Sequence, residues 1–250
     1  MRALAGSRPE AAHRRWGISP RPENSAILQP LARQGNTHVA LQKAMTMHPN
    51  PVFHTETDQK NLAYAQARSF GVLAVNGESG PLMSHVPFLM ADDWQSIDIH
   101  LLRSNPIARL LKTPQTARIA VSGGDSYVSP DWYEAVDQVP TWNYVAVHIW
   151  GQLELLPQDM LGDMLDRQSH HFEAQLAPKP EWTRSKMTQD VMDRMMRTIV
   201  PVRLHVEGVD GTWKLNQNKP DDVRMRAADA VETHGIGTDL TTLAALMRDA

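Results

Sequence analysis

The chain has 250 residues, a formal charge of −3 and no cysteine, with 42% hydrophobic and 21% charged residues. That length can bury a substantial core as one large domain or two small ones, and the composition is ordinary for a globular protein. Disulfides, thiolate metal sites and a cysteine nucleophile are excluded, and no apolar run approaches the roughly 18 residues of a membrane span. A cytoplasmic protein is the expectation.

Charge is unevenly placed. Residues 1–46 hold seven Lys or Arg against Glu10 and Glu23, and Pro9, Pro20, Pro22 and Pro30 interrupt any helical or strand period. They read as a disordered extension, with 47–250 as one domain. The remainder carries 18 basic and 26 acidic residues, a net of −8. An acidic body neutralises few phosphates, so a DNA partner is only weakly supported.

From Thr57 the pattern turns helical. Thr57 is a capping residue, Leu62, Ala65, Gln66 and Phe70 share one side, and Gly71 is the stop signal. Val72 to Val75 reads as a strand, Asn76-Gly77 as a tight turn, and Leu82 to Met90 as its partner, carrying Ser84 and His85. Ser96 to Leu102 alternates Ile97, Ile99 and Leu101 with Asp98 and His100. It delivers Arg103 and Asn105 to a short helix opening at Pro106. Free N–H groups at a helix start beside a guanidinium suit an anion, although the same spacing also suits an ordinary cap with a solvated arginine.

Ala117 to Ser122 is the next strand, broken at Gly123-Gly124. The window from Ser126 to Gly151 then holds six of the chain's 15 aromatics: Tyr127, Trp132, Tyr133, Trp142, Tyr144 and Trp150. They stand among Ser129, Thr141, Asn143 and His148, which can orient a planar polar ligand; a Trp-rich barrel corner fits the same composition. Ser129-Pro130-Asp131-Trp132 reads as a capped turn exposing Trp132 and Tyr133. Trp142 to Leu156 is the longest strand pattern, with Val145, Val147 and Ile149 opposing Tyr144, Ala146 and His148.

Helices follow from Pro157 to about Phe172 and from Ser185 to Ile199. His170 and His171 are adjacent on the first and diverge by about 100° around its axis, so no metal site is expected there. Met187, Val191, Met192, Met195 and Met196 form a core or interface stripe on the second. Val200 to Val209 returns to strand alternation, Lys214 to Pro220 is an amide-rich loop, and two helices close the chain.

SYVSPDWY, VPTWNY, VAVHIWG and the later KLNQNKP together closely resemble the signature of the PaiB-type family, the FMN-binding negative transcriptional regulators. The resemblance runs from about Met47 onward; HLLRSNP matches a further family segment at His100, Arg103, Asn105 and Pro106 and departs from it at Leu102 and Ser104. It implies an α+β fold, a mostly antiparallel split β-barrel related to the pyridoxamine-phosphate-oxidase flavoproteins, with peripheral helices and a helical C-terminal region. It also implies a homodimer with FMN near the subunit interface.

On that resemblance the cofactor contacts are expected at His85, His100, Arg103, Asn105, Trp132, Tyr133, Thr141, Trp142, Asn143, Tyr144, Lys214 and Gln217. Arg103 would meet the phosphate, and Trp132 and Tyr133 would cover the ring. The regulatory role is implied by the family alone, since no stretch reads as a helix-turn-helix with a basic recognition helix. The alternative is a flavin-dependent oxidoreductase or flavin reductase using the same site. A hydrolase is disfavoured because no GxSxG elbow is present.

Overall fold

The computed structural model describes residues 47–250, so the expectation for the N-terminal extension lies outside the described residues. Helix α1 spans Asp58–Arg68, with the Thr57 hydroxyl accepting from the Lys60 N–H as its cap. Ser69 ends it in the left-handed conformation, φ 49°, and Phe70 already belongs to the following strand. The stop therefore comes two residues before Gly71.

Eight strands follow. They are β1 (Phe70–Gly77), β2 (Gly80–Pro87), β3 (Leu89–Met90), β4 (Ser96–Leu102), β5 (Gln115–Val128), β6 (Thr141–Leu155), β7 (Ile199–Lys214) and β8 (Ile236–Thr238). The helices between and after them are α2 (Pro106–Leu110), α3 (Leu161–Glu173), α4 (Gln189–Arg197), α5 (Asp221–His234) and α6 (Leu240–Asp249). The ladders are antiparallel, in the order β2-β1-β5-β6-β7-β4-β3, with β8 pairing beside β5. β2 and β4, near the two ends of this path, approach one another without a ladder. Asn105, just past β4, donates to the Ser84 hydroxyl of β2 at 3.2 Å across that seam. The result is an α+β barrel closed everywhere except along one split.

Strand alternation decides what fills it. Leu73, Val75, Ile119, Val121, Val147, Ile149, Ile97, Ile99, Val202 and Leu204 all point inward and are buried with Phe88. A second apolar cluster lies beyond the barrel end, where Tyr133, Val145, Trp213 and Leu215 meet α5 and α6. Asn61 and Tyr64 of α1 plug the opening between the two clusters. A Cβ on Gly211 would sit 2.0 Å from Asn61 Oδ1, and one on Gly123 would sit 1.9 Å from the Tyr64 hydroxyl. These close approaches explain both glycines. They also explain why β5 is not broken at Gly123-Gly124: the strand continues through a bulge between Ser122 and Asp125.

The helical insert α3–α4 is fixed to the sheet by charge. Asp98 of β4 is buried and receives Arg203 Nε at 2.7 Å and Arg167 Nη2 at 2.9 Å. Burial alone would push its carboxyl up; the hydrogen bonds and charges of the two arginines outweigh that and hold it below its ordinary value. Among the described residues no helix is long and apolar enough to cross a membrane.

Candidate functional site

The faces of the sheet differ in chemistry. Opposite residues in a ladder share a face, so the register reads out the side turned away from the core. One row across it runs His85, Val72, Ala120, His148, Asp210, and the next runs Met83, Ala74, Arg118, Trp150, Gly208. Toward the other end of the strands lie Tyr144 opposite Lys214 and Trp142 opposite Tyr127. The middle is a floor of small side chains, walled by aromatic and basic ones. No described helix lies across it in the way α1 and α3 cover other parts of the sheet.

Three polar features on this face lack an internal explanation. His148 Nδ1 is buried and has no hydrogen-bond partner. Thr212, in register with Ala146, is fully buried and its hydroxyl is also unpartnered. Arg118 has no carboxylate partner among the described residues, and its guanidinium lies 5.1 Å from the Trp150 ring centroid. Unsatisfied buried polar atoms are uncommon in native proteins and mark places where a ligand completes the set. Burial, and then the charge of Arg118, pushes the His148 imidazole below its ordinary pKa, with Asp210 pulling partly back.

The end of the face near β7 carries a second group. Lys214 Nζ donates to the Thr141 hydroxyl at 2.6 Å and sits 5.7 Å from the Phe53 ring, and burial pushes its pKa down. Burial pushes the Tyr144 phenol up. Residues 47–54 lie against β7 here. Asp210 accepts from the Met47 N–H and from His54 Nδ1, both at 3.1 Å, while His54 Nε2 donates to the His48 carbonyl at 2.7 Å.

The sequence-derived site residues divide between these environments. His85, Thr141, Trp142, Tyr144 and Lys214 do reach the outer face or its rim. His85 is exposed beside Phe70, at 6.4 Å between rings, and Trp142 is 47% exposed. Asn105 stands at the split, its side-chain oxygen accepting from the Ile107 N–H at 2.9 Å as the cap of α2. Trp132 is half-buried against the second cluster.

Others are committed elsewhere. The expected exposure of Tyr133 is corrected: it is fully buried, its ring beneath Lys219 and its hydroxyl 3.4 Å from Asn216 Nδ2. Asn143 is buried on the inner face, donating to Met247 Sδ at 3.5 Å. Gln217 clamps its own loop, donating to the Trp213 and Val52 carbonyls. His100 Nδ1 meets Gln168 of α3 at 2.9 Å. Arg103 points along the α4–β7 junction, with Nε on the Arg197 carbonyl at 3.1 Å and Nη2 on Gln158 Oε1 at 2.9 Å. Its guanidinium closes the C-terminus of α4 and does not turn to the start of α2.

The sequence-derived cofactor contacts do not include Arg118, His148, Trp150 or Thr212 of this face, although His148 reads among the polar groups able to orient a planar ligand. The signal for two of them was present, because alternation already placed His148 with Tyr144 and Ala146. Arg118 would have followed from setting the 117–122 strand beside it in register.

Residues 47–208 match the family described as "Putative FMN-binding domain". The chain is 27% identical to the protease synthase and sporulation protein PAI 2 of Bacillus subtilis, over 74% of this chain and 89% of that protein. It is 30% identical to the uncharacterised protein YKL070W of Saccharomyces cerevisiae, over 43% of this chain and 69% of that one. Among solved structures, the FAD- and haem-binding protein of Mycobacterium smegmatis superposes with a TM-score of 0.49 at 14% identity, covering 68% of this chain and 78% of that chain. The flavocytochrome Anf3 of Azotobacter vinelandii does so with 0.44 at 10% identity, covering 66% and 74%.

Proposed function

The chain belongs to the FMN-binding domain family matched by residues 47–208, and we propose that its outer sheet face holds the flavin ring in a homodimer. FMN is the cofactor the family assigns, and the residues present suit it. A flat tricyclic ring needs a flat floor, and Val72, Ala74, Ala120 and Ala146 supply one where larger side chains would stand in the way. Its polar edge needs hydrogen-bond partners, and His148 Nδ1 and the Thr212 hydroxyl are buried atoms without any. That unpartnered pair is the observation that carries the reading.

The phosphate end belongs at the split. β2 pairs only with β1, so its other edge presents unpaired N–H groups, and Asn105 meets the Ser84 hydroxyl there. Arg103 reaches a phosphate only by leaving the Arg197 and Ile199 carbonyls. We therefore assign it to holding α4 and leave the phosphate to the seam. Trp142 and Tyr127, in edge contact at 6.2 Å, continue the face outward. With Met83, Phe70 and Ile236, each more than half exposed, they form the surface on which a second copy would close over the ring.

In this reading the protein is a flavin-binding negative regulator whose output passes through FMN occupancy or redox state and not through a DNA-reading helix. The acidic body supports that division. When bound, FMN supplies reversible electron transfer. This chain's residues bind and orient it, exclude water from one side, and hold a hydrogen-bonding nitrogen at His148. A second reading, a flavin oxidoreductase, is favoured by the unpaired Arg118 beside that floor.

The test is a titration of the full-length apoprotein with FMN, followed by flavin fluorescence, with sedimentation run before and after. Saturable binding by a dimer is expected, weakened by His148→Ala. Failure of the wild type to bind FMN, or undiminished affinity in the variant, would reject the assignment.

A further inference from the structure

We infer that Arg118 and Trp150 form a subsite for a planar carboxylate bound beside the flavin, a second ligand of the same face. The inference rests on the reading that the ring lies on this face, and it adds a ligand class to it.

Arg118 stands near the middle of the sheet, opposite Trp150 on β6 and two residues along β5 from Ala120. The indole is held in place by what lies beneath it. A Cβ on Gly208 would come within 2.3 Å of the Trp150 ring, so the glycine in β7 is what lets the indole lie close against the strand. The guanidinium then stacks against a fixed wall, at 5.1 Å from its centroid. Stacking uses the face of the guanidinium and leaves its N–H edges for a ligand.

The acids that would ordinarily neutralise it are occupied. Asp210, in register with His148, is taken by His54 and the Met47 N–H. Asp125, further along β5, receives the Thr238 hydroxyl at 2.8 Å. The region outside residues 1–46 has eight more acidic than basic side chains. A stacked guanidinium without a carboxylate partner stands out in such a chain. The N–H edge of the guanidinium fits a bidentate carboxylate whose planar body lies against Trp150, at the margin of the floor that carries the ring. The aromatic wall and small floor favour a flat ligand over a tetrahedral anion.

The experiment uses the full chain loaded with FMN and benzoate as the probe. Benzoate should produce a saturable change in the flavin absorption bands of the wild type. Arg118→Met should weaken that response about tenfold or more, the loss expected for a charge-assisted bond, while FMN affinity stays within about twofold of the wild type. Arg118→Lys should restore part of it. An absent response in the wild type, or an equal one in Arg118→Met, overturns the proposal.

Two other outcomes also overturn it. If Arg118→Met weakens FMN but not riboflavin, the arginine holds the cofactor's own phosphate. If it dissociates the oligomer, the arginine's partner is a carboxylate of a second copy. Failure of the wild type to bind FMN would reject the flavin reading instead. The subsite is then read from the rise in Tm on adding benzoate, which must vanish in Arg118→Met.

Discussion

Neighbouring residues along β6 serve two different purposes. Val145, Val147 and Ile149 are almost fully buried in apolar surroundings, and their environment is satisfied by packing alone. Tyr144, Ala146, His148 and Trp150 alternate with them and face small side chains, cations and unpartnered polar atoms. The same contrast runs through β5, where Ile119 and Val121 flank Ala120. A strand's period of two lets one backbone carry stability on one side and chemistry on the other. Substitutions on the two sides should therefore separate stability from binding.

The largest expected effect is on the inner side. Ile149→Ala removes a fully buried side chain from a close-packed barrel and should cost about 3 kcal/mol in a denaturant titration. Its neighbour His148→Ala should change stability by less than about 0.5 kcal/mol, because it breaks no hydrogen bond at Nδ1. Equal costs at the two positions would erase the distinction between the faces.

Asp98 tests the electrostatic counterpart of that core. Asp98→Asn leaves Arg203 and Arg167 without their shared carboxylate and should cost about 2 kcal/mol, less than for a fully buried pair because both arginines reach solvent. The folded pKa of Asp98 lies below its unfolded value. Its contribution is thus complete above the unfolded value, about pH 4, and is lost as pH falls through the folded one. Wild type and Asp98→Asn should converge in stability in acid; a constant difference down to low pH would contradict the ion-pair account.

These elements also show what the sequence could disclose. Alternation located the strands, and capping chemistry at Thr57 and Asn105 located two helix starts, because those signals are local. The burial of Tyr133 was not legible: the residues that enclose it come from α5, α6 and the loop after β7, about 80 or more positions away. The direction of Arg103 was hidden for the same reason. Pairing of Leu102 with Ile199 brings the end of α4 beside it, and no spacing within HLLRSNP reports that. Gly123-Gly124 looked like a strand break because the close approach of Tyr64 is a tertiary fact. The outer face was half legible: the β6 side chains could be read, but the Arg118 row needed the β5–β6 register.

A smaller effect sharpens the comparison at the barrel's rim. Arg103→Ala should cost about 1 kcal/mol, the value of an exposed guanidinium closing a helix C-terminus. Amide exchange should rise selectively in 189–199. If FMN affinity falls by more than about tenfold in this variant, a difference of ~1.4 kcal/mol, the guanidinium belongs to the phosphate and the seam assignment is wrong.

The central claim is that the flavin ring rests on the alanine floor of the outer face. The direct measurement is the dissociation constant of FMN for wild type and Ala120→Leu, paired with their unfolding curves. Leucine there adds bulk between Val72 and His148 without entering the barrel. The account predicts FMN binding weakened about tenfold or more by overpacking against the ring, with stability unchanged within about 0.5 kcal/mol. FMN binding as tight as in the wild type, with the variant folded, would contradict it.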